Sequence, residues 1–247
     1  MRFDIITLFP DLFGPVMQQG ITRRAFESGQ VQVRLWPLRD YAEGPYRRVD
    51  DRPFGGGPGM VMMADPLFRC WQAVHADRAA SGAPYAPTVL FSPIGERLTQ
   101  AVVARFASAG TPDSPESPNP GAVLVCGRYE GLDQRFIDTC VDQQISLGDF
   151  VLSGGEIPAM ALLDAVARLQ PDVLTDAGSH QQDSFSPDLQ GVLDCPHYTR
   201  PEVWQSPQGP MPVPPVLLSG HHARIEQWRA EQRLRLTRTH RPDLLPD

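Results

Sequence analysis

The sequence predicts an α/β fold: a mainly parallel sheet with helices on both faces, followed by a small helical C-terminal domain. Up to Pro171, short β-rich runs alternate with helical patterns, as parallel strands joined by crossover helices require. Beyond Pro171 the chain turns polar and then proline-rich, and it ends in an arginine-rich helical stretch. The expected strands are Asp4–Leu8, Val31–Trp36, Thr88–Phe91, Ala122–Cys126 and a short piece near Ile145. The expected helices are Pro10–Gln19, Asp65–Arg78, Thr99–Ala107, Leu132–Thr139 and Glu156–Leu169. The last of these is marked by Pro158 in its first turn and by Leu162, Val166 and Leu169 on one face. The Pro/Ser-rich segment Thr111–Gly121 has no apolar side chain to bury except at its proline rings and reads as a solvent loop. Asp172–Gln190 reads as a linker or lid, and Ser219 as the N-cap of a helix through Trp228.

The chain has 247 residues, 41% hydrophobic and 21% charged, enough for a full core. No apolar run is long enough to span a bilayer, and the first residues form a strand pattern rather than a secretion signal. Four cysteines without a C-x-x-C pair are expected to be buried, reduced thiols in a cytoplasmic protein. All 22 basic side chains are arginine, which excludes Schiff-base chemistry, a lysine general base and a P-loop. A net charge of −7 argues against a protein coated with cations, yet six arginines face two glutamates between His221 and Arg241. Arg47, Arg48 and Arg52 form a second basic group. Such patches suit a structured RNA or a solvated helix face.

The densest information lies between Gly121 and Met160. An apolar strand runs into Gly127-Arg128-Tyr129-Glu130-Gly131, and after a helical stretch comes a second turn, Ser146 to Glu156, carrying Gly148, Gly154 and Gly155. Two glycine turns, each after a strand, point to backbone brought close to a ligand. Neither is a G-x-G-x-x-G fingerprint, which disfavours a nicotinamide oxidoreductase. A third glycine-rich loop, Pro53 to Met60, reads equally as a surface turn or a contact loop. Glu130 and Asp183 are candidate acid/base carboxylates, and Arg168 follows Asp164 at the spacing of a helical ion pair. The six histidines show no H-x-x-x-H or His/Cys cluster of the kind that holds zinc.

The strings MRFDIITLFP, VDDRPFGGGPGMVM, VCGRYEGLDQR, SLGDFVLSGGEIPAM, QDSF, LDCPHYTRPEV and VPPVLLSG, in this order, resemble the bacterial tRNA (guanine-N1)-methyltransferases from Met1 to about Leu245. The resemblance implies a deep trefoil knot, a homodimer with active sites shared between subunits, and methylation of the guanosine immediately 3′ of the anticodon. It places an S-adenosylmethionine-binding domain at residues 1–171, a linker bearing the catalytic aspartate at 172–188, and a tRNA-binding domain at 189–247. The implied catalytic residues are Asp183 and Arg168. The implied cofactor residues are Leu90, Phe91, Ser92 and Pro93, then Gly127, Tyr129 and Glu130, then Leu147, Gly148, Asp149, Phe150, Val151, Leu152, Gly154 and Gly155. Asp51, Arg52, Ser179, His197 and Arg200 are the implied contacts to the anticodon stem-loop.

Three positions depart from the family pattern. Leu174–His180 lacks a His-Glu pair, the Ser/Pro loop is long, and Ile145 stands where some relatives carry tryptophan. A magnesium dependence belongs to the family, but no carboxylate cluster here marks a metal site. A knotted enzyme acting on a ribose hydroxyl would not need Asp183 as a base, and a non-catalytic RNA-binding protein would not need the glycine turns.

Overall fold

The computed structural model describes residues 1–108, 119–175 and 180–245. It divides into two compact units, Met1–Leu174 and Thr175–Asp247. No described helix is long and apolar enough to cross a membrane.

The first unit is built on β1 (Arg2–Thr7), followed by α1 (Gly14–Gln18), α2 (Arg23–Glu27) and β2 (Gln32–Pro37). A small antiparallel pair, β3 (Asp50–Asp51) and β4 (Val61–Met62), leads to α3 (Ala64–Ala80) and β5 (Thr88–Arg97). Then come α4 (Gln100–Ala107), β6 (Ala122–Val125), α5 (Gln134–Cys140), β7 (Gln143–Ser146) and α6 (Glu156–Ala167). Five strands form one sheet in the order β2-β1-β6-β5-β7, with every pairing parallel. The chain is thus α/β with a parallel sheet, as its alternating pattern predicts.

Side chains alternate across the sheet and divide the core in two. Phe3, Ile5, Val89, Phe91, Ala122 and Leu124 pack on one face with residues of α4 and α6. Ile6, Leu90, Val123 and Val125 pack on the other with residues of α3 and α5. Burial on both faces explains why β6 reads as a continuous apolar run, while β1 also buries Arg2, Asp4 and Thr7.

The expected helix Pro10–Gln19 is instead a 3₁₀ turn, Pro10–Leu12, followed by α1. Pro15 has no N–H to give a longer helix, so the segment breaks before it. Thr99 caps α4 and Asp133 caps α5, their side chains accepting from the Val102 and Arg135 amides. Residues 111–118 of the Pro/Ser-rich segment lie outside the described residues. The chain that returns from it is fastened to the core. The Asn119 amide donates to the Phe106 carbonyl at 2.8 Å, and Asn119 Oδ1 accepts from the Gly121 amide at 2.8 Å. Fully buried Arg78 donates to the carbonyls of Pro120 and Pro84 and pairs with buried Asp4 at 2.7 Å.

The second unit holds the antiparallel pair β8 (Val203–Ser206) and β9 (Gly209–Pro212), then α7 (Pro215–Leu218) and α8 (His222–His240). This hairpin stands beside the helices in a unit that the sequence predicts to be helical; a two-stranded edge tolerates Pro210 and Pro212. Ser219 does not cap α8, which begins after His221 and runs twelve residues beyond Trp228, to His240. The Ser219 hydroxyl closes α7 instead, donating to the Val216 carbonyl at 2.7 Å.

Candidate active site

The carboxyl ends of β6, β5 and β7 open into a cleft of about 440 Å³ in the first unit. In open parallel sheets this is where ligands bind. Strand β5 shapes one wall. Ile145 of β7 is the ladder partner of both Phe91 and Glu96, so Ser92 to Gly95 leave the ladder as a bulge. Ser92, Pro93 and Ile94 are thereby turned into the cleft. Gly95 permits the detour, since a Cβ there would strike the backbone of Gln144 and Ile145.

The two glycine turns meet at the cleft floor. The Gly155 amide donates to the Gly127 carbonyl at 2.9 Å, and Arg128 and Gly154 form an isolated antiparallel bridge. Behind them lies a buried polar cluster. Thr7 donates to Glu156 Oε1 at 2.8 Å, and Arg128 Nε lies 2.9 Å from Glu156 Oε2. The Arg128 guanidinium also donates to the Ser153 carbonyl at 3.1 Å and covers the Phe9 ring at 4.4 Å. Glu156 is fully buried, so its charge depends on these partners. Tyr129, half-exposed on the cleft wall, is held at φ +61°, a left-handed conformation that costs a bulky residue energy.

Fourteen of the fifteen expected cofactor residues line this one cleft: Leu90, Phe91, Ser92, Pro93, Gly127, Tyr129, Glu130, Leu147, Gly148, Phe150, Val151, Leu152, Gly154 and Gly155. Asp149 is not among the lining residues; its exposed carboxylate pairs with Arg97 at 2.9 Å. Gln134, Ile137, Gln144 and Pro158 also line the cleft and were not foreseen. They stand on α5, β7 and α6, elements whose place at the cleft depends on the order of strands in the folded sheet. Ile94 had a local clue, a proline and a glycine interrupting a strand pattern, and Gly131 and Ser146, which also line the cleft, lie in the glycine turns themselves.

Arg168 is the C-cap of α6, its amide donating to the Asp164 carbonyl at 3.1 Å. Asp183 belongs to the second unit, in a loop closed on itself. Its carbonyl accepts from the Ser186 amide at 3.1 Å, and the Phe185 amide donates to the Val192 carbonyl at 3.0 Å. Asp51 accepts from Arg48 at 3.2 Å, and Arg52 and Arg200 are exposed. Ser179 lies outside the described residues.

Among the described residues one group of three possible metal donors lies together: Asp194, Cys195 and His197. This corrects the reading of the histidines as unclustered. Asp194 nevertheless acts as a hydrogen-bond hub. It accepts from the Cys195 amide at 2.6 Å, contacts His197 Nε2 at 2.8 Å and meets Arg233 of α8 at 3.4 Å. Burial pushes its carboxyl up, but the Cys195 amide and the His197 ring outweigh this and hold it below the usual range. A guanidinium on the same carboxylate opposes a cation there.

The cleft suits S-adenosylmethionine in size and in donor chemistry. Its volume falls within the range of small-molecule sites, and apolar Leu90, Phe91 and Leu152 alternate with the backbone of glycine turns and the amides of Gln134 and Gln144. The two glycines most exposed to test differ in what a side chain would meet. A Cβ on Gly155 would lie 2.7 Å from the Cys126 Cα, whereas on Gly148 it would lie 2.7 Å from the Phe150 ring, which is exposed and can swing aside. Gly155→Val is therefore expected to destabilise the first unit by about 1–3 kcal/mol as overpacking does. Gly148→Val should retain the wild-type melting temperature and lose S-adenosylmethionine affinity. Denaturant titration and calorimetry on both variants check this; equal melting behaviour would show that the backbone at Cys126 yields.

A parallel α/β sheet with a glycine-turn cleft at its carboxyl edge is an architecture that houses small-molecule sites. Residues 1–247 match the profile of the family described as tRNA (Guanine-1)-methyltransferase TrmD. Proteins named tRNA (guanine-N(1)-)-methyltransferase from Polaromonas sp. and Paracidovorax citrulli are each 65% identical over 245 residues, covering 99% of this chain and 89% and 91% of their own. One from Bordetella pertussis is 54% identical over 99% of this chain and 90% of its own. The chain belongs to this family.

Proposed function

We propose that the chain transfers a methyl group from S-adenosylmethionine to N1 of the guanosine immediately 3′ of the anticodon in tRNA. The observation that carries this reading is the glycine-turn cleft of the first unit in a chain whose whole length matches the family. S-adenosylmethionine supplies the methyl on a sulfonium that leaves as a neutral thioether. The protein has two tasks. Guanine N1 is protonated at neutral pH, so a base must take its proton as the N1–C bond forms; Asp183 is assigned that role. Electron density then builds on O6, and Arg168, a cation that no ordinary pH discharges, is assigned its stabilisation.

The guanine must leave the stack to reach the methyl, and a base in a single-stranded loop costs least to extrude. Asp51, Arg52, His197, Arg200 and the arginines of α8 are assigned to the anticodon stem-loop. The enzyme works in the cytoplasm as a homodimer, with the turns at Gly127 and Gly148 inside a deep trefoil knot and Asp183 serving the cleft of the opposite subunit.

Primer extension on tRNA tests the reading, because a methyl on N1 blocks base pairing. A stop at that guanosine, dependent on both enzyme and S-adenosylmethionine, is expected. A stop at another nucleotide, or methylation of a ribose hydroxyl, would replace the reading.

A further inference from the structure

The glycine-rich loop between β3 and β4 carries one large apolar side chain, Phe54, and it is 100% exposed. Its neighbours Gly55 and Gly56 have φ of +85° and +80°, so the chain around the ring follows a path that only glycine takes without strain. The far end of the loop is anchored. The Glu130 amide donates to the Met60 carbonyl at 3.0 Å, the Met62 amide to the Gly131 carbonyl at 2.9 Å, and the Asp133 amide to the Met62 carbonyl at 2.9 Å. Gly59 approaches so closely that a Cβ would collide with the Glu130 side chain. Glu130 and Gly131 line the cofactor cleft, so the loop is fastened to its rim. Arg47 and Arg48 precede β3 and pair with Asp40 at 2.9 Å and Asp51 at 3.2 Å, and exposed Arg52 follows it.

A single exposed phenylalanine is ordinary on a protein surface. Here the ring stands in a loop anchored at Met60 to the rim of the cleft, two residues from the exposed Arg52, and the proposed substrate of that cleft is an unstacked base. Aromatic rings next to arginines are how proteins hold single-stranded bases, the ring taking the π-face and the cations the phosphates. We propose that Phe54 is a substrate-binding residue whose ring stacks on an extruded base of the anticodon loop. This rests on the proposed RNA reading and adds to it the residue that holds the base.

Phe54→Ala is expected to lower kcat/KM for tRNA by about 5- to 150-fold, the range of one base–aromatic stack. Its S-adenosylmethionine affinity by calorimetry should match the wild type. Phe54→Tyr and Phe54→Trp should restore turnover, and Phe54→Leu, equally apolar without a π-face, should not. In the Trp variant, adding an anticodon stem-loop RNA should quench the new indole fluorescence. Substituting 2-aminopurine at the target position or at either neighbour then shows which base the ring meets. Turnover of Phe54→Ala or Phe54→Leu equal to the wild type overturns the inference. So does a loss of dimer mass in Phe54→Ala by light scattering, which would make the ring a subunit contact. A wild-type enzyme that leaves no stop in primer extension sinks the function reading instead, so the two failures are distinguishable.

Discussion

Asp183→Asn is expected to lower methyl transfer by about 10²–10⁴-fold, the usual worth of a positioned general base. The amide keeps the shape of the carboxylate and cannot take the N1 proton. Asp183 lies in a loop closed by backbone hydrogen bonds, from the Ser186 amide to its own carbonyl and from the Phe185 amide to the Val192 carbonyl. Both bonds are made by backbone groups, which the substitution leaves unchanged. S-adenosylmethionine affinity should be nearly unchanged, since the cleft residues all belong to the first unit. Single-turnover transfer and calorimetry read the two effects separately. Transfer within a few-fold of wild type would remove Asp183 from the chemistry.

The second large effect is a gain. Asp183→Asn and Gly148→Val should each be inactive alone, the first lacking the base and the second the cofactor. Unfolded and refolded together, they should recover about a quarter of wild-type activity. Random pairing makes about half the dimers mixed, and in each of these one site combines an intact cleft with an intact Asp183 from the other chain. If base and cleft belonged to the same chain, every mixed dimer would stay inactive. Mass measurement on the refolded sample establishes that mixed dimers formed, so absence of activity would then exclude the shared site.

The central strand β6 was legible because it is buried on both faces and Ala122 through Val125 leave no polar position to confuse the pattern; in β1 the buried Asp4 interrupts the apolar run of Phe3, Ile5 and Ile6. The cleft was legible at the glycine turns and, through the family resemblance, at Leu90 to Pro93, but not where helices and a strand end reach it. Gln134 and Gln144 reach it from α5 and β7, and only the order of strands in the folded sheet says which ends adjoin. Helix α8 shows the opposite difficulty. Its apolar spacing fades after Trp228, yet it continues because the residues it buries are polar: Arg233 between Asp194 and Glu226, and Thr237, whose hydroxyl accepts from the Leu193 amide at 3.0 Å. A helix held by charge and hydroxyl pairing carries no hydrophobic periodicity to read.

The fastening of Asn119 and Pro120 bears on how this protein can vary. Asn119 is tied to the Phe106 carbonyl and the Gly121 amide, and Pro120 to Arg78, so the carboxyl end of the Pro/Ser-rich segment is held against the core. The entropy of closing such a loop grows only with the logarithm of its length, roughly 0.6 kcal/mol for each doubling. Length there is nearly free to drift between lineages. For the same reason a peptide tag or a small fluorescent domain spliced between Ser108 and Asn119 would be carried with little penalty, its described flank entering β6 at the strand's amino end, away from the carboxyl ends that open into the cleft.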